Sequence, residues 1–256
     1  MFACPSFDKN GEKILTRMDG INADMLMDIT AYKFKKDQQK TFGDENKEFA
    51  VLLIEGKIEL EFDGRKEICR RDNCLKDGAY CLHVCKGKYF TVKSLLDGSE
   101  FMVQSTTNDR VFDTVFYKPE DMQHSISCEG LWENTAVRDV MTVFDLTNAP
   151  YSNMVLGEVY ARQGRWWSYI PHSHPQPEVY YYKFLRPEGF GACWVGEDVY
   201  TVKDGSYACF PGGNNHHQVT APGYPLYNIW MIRHLDGDPW DKTRIVDKRY
   251  EHLLNE

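Results

Sequence analysis

The 256-residue sequence predicts an all-β protein made of two barrel-like domains. Three observations lead there. Short runs rich in Val, Ile, Tyr, Phe and Thr recur between Gly, Asp, Asn and Pro punctuation, as in folds made of many short strands. Helical periodicity is confined to two stretches near the ends, Ala23 to Phe34 and Lys248 to Leu254. The two halves also echo one another: Asp77-Gly78-Ala79-Tyr80 matches Asp204-Gly205-Ser206-Tyr207, and each precedes a strand that stops at a glycine, Gly87 or Gly213.

Strands are expected, in order, over Phe49 to Ile54, Lys57 to Phe62, Tyr89 to Lys93, Phe101 to Gln104 and Val111 to Tyr117. The second half continues with Met154 to Ala161, Val179 to Phe184, Gly191 to Val195, Ser206 to Phe210 and Tyr227 to Ile232. Glu48-Phe49-Ala50-Val51 occupies the place that Glu178-Val179-Tyr180-Tyr181 occupies in the second half. Asn134, Asn148 and Pro150 punctuate the connection, so the expected domains are residues 1–135 and 136–256.

Composition narrows the function classes. A hydrophobic share of 42% with 14% aromatic residues describes a folded chain and excludes intrinsic disorder. Thirty Lys and Arg against 38 Asp and Glu give a net charge of −8, without the basic surface that nucleic acid requires. No uncharged apolar run reaches about 18 residues, and Met1 to Asp8 lacks a basic stretch followed by an apolar one. A cytoplasmic protein without a membrane partner is expected. The eight cysteines contain no Cys-x-x-Cys pair and read as buried thiols.

The chemistry concentrates in the second half. In Pro171-His172-Ser173-His174-Pro175-Gln176-Pro177-Glu178, two histidines at i and i+2 of an extended chain share a face, so both imidazoles can reach one metal ion. The strand that Glu178 opens sends Glu178, Tyr180 and Tyr182 to one side. Downstream, Gly205 to His217 is a strand stopped by Pro211-Gly212-Gly213 and followed by His216 and His217. Three histidines and a glutamate form a nitrogen and oxygen site suited to one divalent transition metal, Zn, Mn, Fe, Co or Ni, with Zn placed slightly first. His83, His124, His234 and His252 lack such a pattern and read as solvated or hydrogen-bonded side chains. Trp166, Trp167 and the tyrosines at 180 to 182 fit barrel filling equally well.

These two segments resemble the paired motifs of the cupin superfamily, the second matched at Gly205, Pro211, Gly213 and His216, the first at His172, His174 and Glu178. General cupin spacing favours His216 over His217 as the fourth ligand. In the first half Phe90 stands three residues beyond Gly87, and residues 38–47 contain no histidine, so the N-terminal barrel resembles a degenerate, metal-free cupin. The wider pattern is similar to the bicupin family of 5-deoxy-glucuronate isomerases: Asn153 to Val159, Gly164, Trp166 to Tyr169, Glu178 to Tyr182, Gly189-Phe190-Gly191, Ala221 to Tyr224 and Leu226-Tyr227, with Val137-Arg138 in the linker. Lys183 stands where that family commonly has arginine, and the segment between His174 and Glu178 is shorter than usual.

The resemblance implies two jelly-roll barrels and a metal-dependent aldose-ketose isomerase of inositol catabolism, converting 5-deoxy-glucuronate to 5-dehydro-2-deoxygluconate. It also implies a small sugar-acid substrate. A related uronate isomerase, a cupin dioxygenase and a non-catalytic sugar-acid-binding cupin are the alternatives. Tyr180 and Tyr182 are the candidates for positioning or proton transfer. A substrate carboxylate needs a cation, for which Arg165, Lys183, Arg233 and Arg138 are available. Open sheet edges in such barrels predict a homo-oligomer.

Overall fold

In the computed structural model, which describes residues 1–255, hydrophobic alternation becomes 21 strands with a few 3-10 turns. They run as β1 (Phe2–Ala3), β2 (Glu12–Thr16), β3 (Asp28–Phe34), β4 (Gln39–Gly43), β5 (Lys47–Phe62), β6 (Arg65–Arg71), β7 (Cys81–Val84), β8 (Tyr89–Ser94), β9 (Ser99–Thr107) and β10 (Val115–Tyr117). Then come β11 (Gln123–Ser127), β12 (Arg138–Phe144), β13 (Met154–Ala161), β14 (His172–Ser173), β15 (Glu178–Phe184) and β16 (Phe190–Val195). The last are β17 (Asp198–Lys203), β18 (Tyr207–Phe210), β19 (His216–Thr220), β20 (Leu226–Arg233) and β21 (Ile245–Val246). Among the described residues no helix is long and apolar enough to cross a membrane.

Two compact units result. One comprises residues 6–122 and 147–154, the other residues 1–5, 123–146 and 155–255. The first is a nine-stranded sheet that turns a corner within β5. Lys47 to Glu55 pairs with β9, a register shift follows Leu53, and Gly56 to Phe62 pairs with β6. Its core gathers Tyr32, Phe34, Phe42, Phe49, Phe90 and Phe101. Glu48, which matches Glu178 in the repeat, is fully buried there. It accepts hydrogen bonds from Ser152 Oγ (3.0 Å) and Asn153 N–H (2.6 Å), and pairs with His83 Nε2 at 2.8 Å.

The second unit has a seven-stranded sheet, ordered β1-β18-β15-β20-β13-β12-β11, and a five-stranded sheet, ordered β17-β16-β19-β14-β21. Trp167, Tyr182, Phe210, Trp230 and Trp240 fill the space they enclose. This is the curled two-barrel architecture the sequence predicts.

Two local expectations are corrected. Ala23 to Phe34 is not a helix: a 3-10 turn, Ala23–Met25, leads into β3, whose pairing with β9 from Asp28 to Phe34 overrides helical periodicity. Of Val111 to Tyr117 only the last three residues are strand. The second expected helix is a 3-10 helix, Lys248–Asn255.

Candidate active site

β14 is two residues long, yet it fixes His172, with His174 just beyond its end, because it is held on both sides. His172 pairs with His216 on β19 and with Val246 on β21. Glu178 opens β15 opposite Phe210 and Ile232, which places its carboxylate over the same space. The turn between β18 and β19 closes the arrangement: Gly213 N–H donates to the His174 carbonyl at 2.8 Å. Gly212 is required there, because a Cβ would lie 1.9 Å from the Pro175 carbonyl oxygen.

His172, His174 and His216 are all buried and offer nitrogens within 4.8 Å of one another. Glu178 Oε2 lies 3.3 Å from His174 Nε2 and 3.2 Å from His216 Nε2. That approaches the ~3.4 Å spacing of neighbouring ligands around one tetrahedral ion. His172 Nδ1 donates to the Ile170 carbonyl (2.8 Å) and His216 Nδ1 to the Asn214 carbonyl (3.1 Å), which fixes both tautomers and leaves Nε2 as the lone pair. Burial, with His216 and Arg244 nearby, pushes His172 down to about 2, so its imidazole is neutral. Burial opposes ionisation of Glu178, but the hydrogen bond from His174 and the neighbouring His216 ring hold its carboxyl below the usual range. A neutral imidazole at His172 beside an ionised Glu178 is what a divalent transition metal requires, and the four side chains fit one. His217 faces away, between the rings of Trp166 and Trp194 at 5.2 and 4.5 Å. Alternation along β19 separates the two neighbours and leaves His216 on the side of His172 and His174.

The site opens on a cavity of about 210 Å³. β11 and β12 give it Ser125, Ser127, Arg138, Val140 and Thr142, while Tyr180 and Trp230 form another wall. The segment between β20 and β21 lays Trp240, Lys242 and Arg244 against it. Gly157 on β13 makes room for Trp230, whose Cζ2 lies 2.3 Å from where a Cβ would stand. Trp167, Trp230 and Trp240 carry buried indole N–H groups that find no acceptor among the described residues.

Other expected site residues are placed differently. Tyr180 lines the cavity, and burial together with the Glu178 charge pushes its phenol well above the ordinary value. Tyr182 does not line it: fully buried, it donates to Gln218 Oε1 at 2.8 Å. Lys183 falls on the opposite face of β15, 3.7 Å from Asp204 Oδ1. Arg165, in the loop before β14, is also absent from the lining, and Arg233 donates to the His234 carbonyl. The cavity cations are Arg138, Lys242 and Arg244; Lys242 and Arg244 carry no motif signal and reach the site only through tertiary folding.

Known proteins are similar to this chain in sequence and in fold. The sequence is 24% identical over 192 residues to the 5-deoxy-glucuronate isomerase of Shouchella clausii, covering 64% of this chain and 67% of that one. It is 25% identical over 217 residues to the enzyme of the same name from Geobacillus kaustophilus, covering 77% and 76%. The fold is similar to the crystal structure of an IolB-like protein from Salmonella typhimurium LT2, with a TM-score of 0.87 and 16% identity over 99% of this chain and 98% of that one. Oxalate decarboxylase from Bacillus subtilis shares the fold at a TM-score of 0.61 and 15% identity, over 87% of this chain and 71% of that one. The profile of the KduI/IolB family matches residues 2–252, and the chain belongs to that family.

Proposed function

We propose that this chain converts 5-deoxy-glucuronate to 5-dehydro-2-deoxygluconate, with one divalent metal ion held by His172, His174, Glu178 and His216. The chain is an isomerase of the KduI/IolB family. One observation carries the finer reading: a buried three-histidine cluster, with a carboxylate against it, faces a small cavity walled by indoles and bearing cations. Such a bound ion supplies Lewis acidity to a carbonyl and the hydroxyl beside it. The chain's own residues shape and dry the site around it. Trp167, Trp230 and Trp240 keep water from the reacting carbons and offer indole N–H donors to hydroxyls. Tyr180 keeps its proton, so it donates a hydrogen bond to a substrate oxygen and does not act as a base. Tyr182 supports that wall from behind through Gln218.

The reaction moves a proton between adjacent carbons and is redox-neutral overall. Incubation of the purified protein with 5-deoxy-glucuronate, followed by proton NMR, is expected to show loss of the aldose and growth of the ketose without oxygen consumption. Unchanged substrate in the presence of stoichiometrically bound metal contradicts the proposal.

A further inference from the structure

A sugar acid bound in this cavity needs a cationic partner, and the three cations that line it are in different states. Lys242 Nζ is 2.8 Å from the buried Asp145 carboxylate and is already neutralised. Arg244 is exposed, its charge spread over the Tyr169 and Trp240 rings at 5.1 and 5.7 Å. Arg138 is only 7% exposed, and its partners are neutral: the Cys128 thiol at 3.3 Å and the Ala136 carbonyl at 3.2 Å, both reached through Nη1. Among the described residues no carboxylate pairs with it.

A buried guanidinium has five donors and a large desolvation penalty that only an anion offsets well. Pairing fixes its aim. Arg138, Val140 and Thr142 alternate onto the cavity face of β12, while Ser127 lies in register with Arg138 on β11 and lines the same cavity. Tyr180 lines the same cavity as the guanidinium.

Resting on the isomerase reading above, we infer that Arg138 is the receptor for the substrate's carboxylate and the residue that makes the site select sugar acids over neutral aldoses. The carboxylate takes the free Nε and Nη2 side of the guanidinium as a two-point pair. Arg165, Lys183 and Arg233 have no part in this contact.

The test uses metal-loaded protein and calorimetric binding of D-glucuronate and of D-glucose. Wild type is expected to bind the acid about 100-fold more tightly than the neutral sugar. Arg138→Gln is expected to remove that preference while leaving glucose binding and metal content unchanged, and Arg138→Lys to retain part of it. Should the Gln variant fold poorly, the Lys variant alone decides, since a point charge in place of the fork lowers the preference about tenfold. A preference that survives in both variants, or one that disappears in Arg244→Gln instead, overturns the assignment. Turnover of 5-deoxy-glucuronate is measured on the same samples. Its absence in wild type counts against the isomerase reading, and the binding comparison still judges Arg138.

Discussion

His172 suits the proposed metal site because of what surrounds it: a carbonyl fixes its Nδ1 proton and burial holds the ring neutral. Its native pKa of about 2 lies below the ordinary 6.5, so between these values the native state binds fewer protons than the unfolded chain. Stability is therefore complete above pH 6.5 and is lost as pH falls toward 2; the lowered Glu178 carboxyl acts in the same direction at the acid end. Chelator-stripped protein is expected to show a lower urea midpoint at pH 5 than at pH 7.5, and equal midpoints contradict this. For Tyr180→Phe, kcat is expected to fall about 10²-fold with metal content unchanged, as measured by steady-state kinetics beside elemental analysis. The parity of His172, His174 and Glu178 was legible because period two needs no tertiary information. Arg165 and Lys183 misled for a related reason. Proximity to a motif in sequence does not say which face a residue takes, and Lys183 alternates away from Tyr180. Arg138 stands out as the proposed carboxylate receptor only once β11 and β13 flank it.

Turns decide how the two segments of the proposed metal site meet. Gly212 lies so close to Pro175 that any side chain separates the turn from the His174–Pro175 segment. Gly212→Ala is expected to weaken metal affinity at least about tenfold with all four ligands intact, measured by competition with a chromogenic chelator. Gly157→Ala is a matching case on β13: it displaces Trp230 and is expected to cost about 1–3 kcal/mol in chemical unfolding. Pro211-Gly212-Gly213 was readable as a strand stop from composition. Strands such as β13 were readable because alternation and punctuation agree, from Met154 to Ala161. β3 was misread because Asp28 to Phe34 also satisfies a helical period, and its pairing with β9 lies about 70 residues away. The Trp240 to Arg244 segment has no periodicity to read; its place depends on β21 pairing with β14.

Across the whole molecule, the barrels exchange short segments: residues 1–5 belong with the C-terminal unit and residues 147–154 with the N-terminal one. No propensity in five or eight residues announces that, and only long-range pairing, such as Phe2 with Ala208, reveals it. The repeat itself was legible, and Glu48 shows what became of it. The carboxylate that matches Glu178 binds Ser152, Asn153 and His83, holding the exchanged segment within its unit. Glu48→Ala is expected to cost about 2–4 kcal/mol in urea unfolding while leaving bound metal at one equivalent, because the buried Ser152 and His83 and the half-buried Asn153 N–H lose this carboxylate in a unit distant in sequence from the proposed metal motifs. The most direct measurement is turnover of 5-deoxy-glucuronate as metal is titrated back into stripped protein, beside the His172→Ala, His174→Ala variant. The prediction is activity that rises to a plateau at one equivalent and is absent from the variant. Full turnover in metal-free protein, or equal turnover in the variant, would contradict a reaction centred on these four residues.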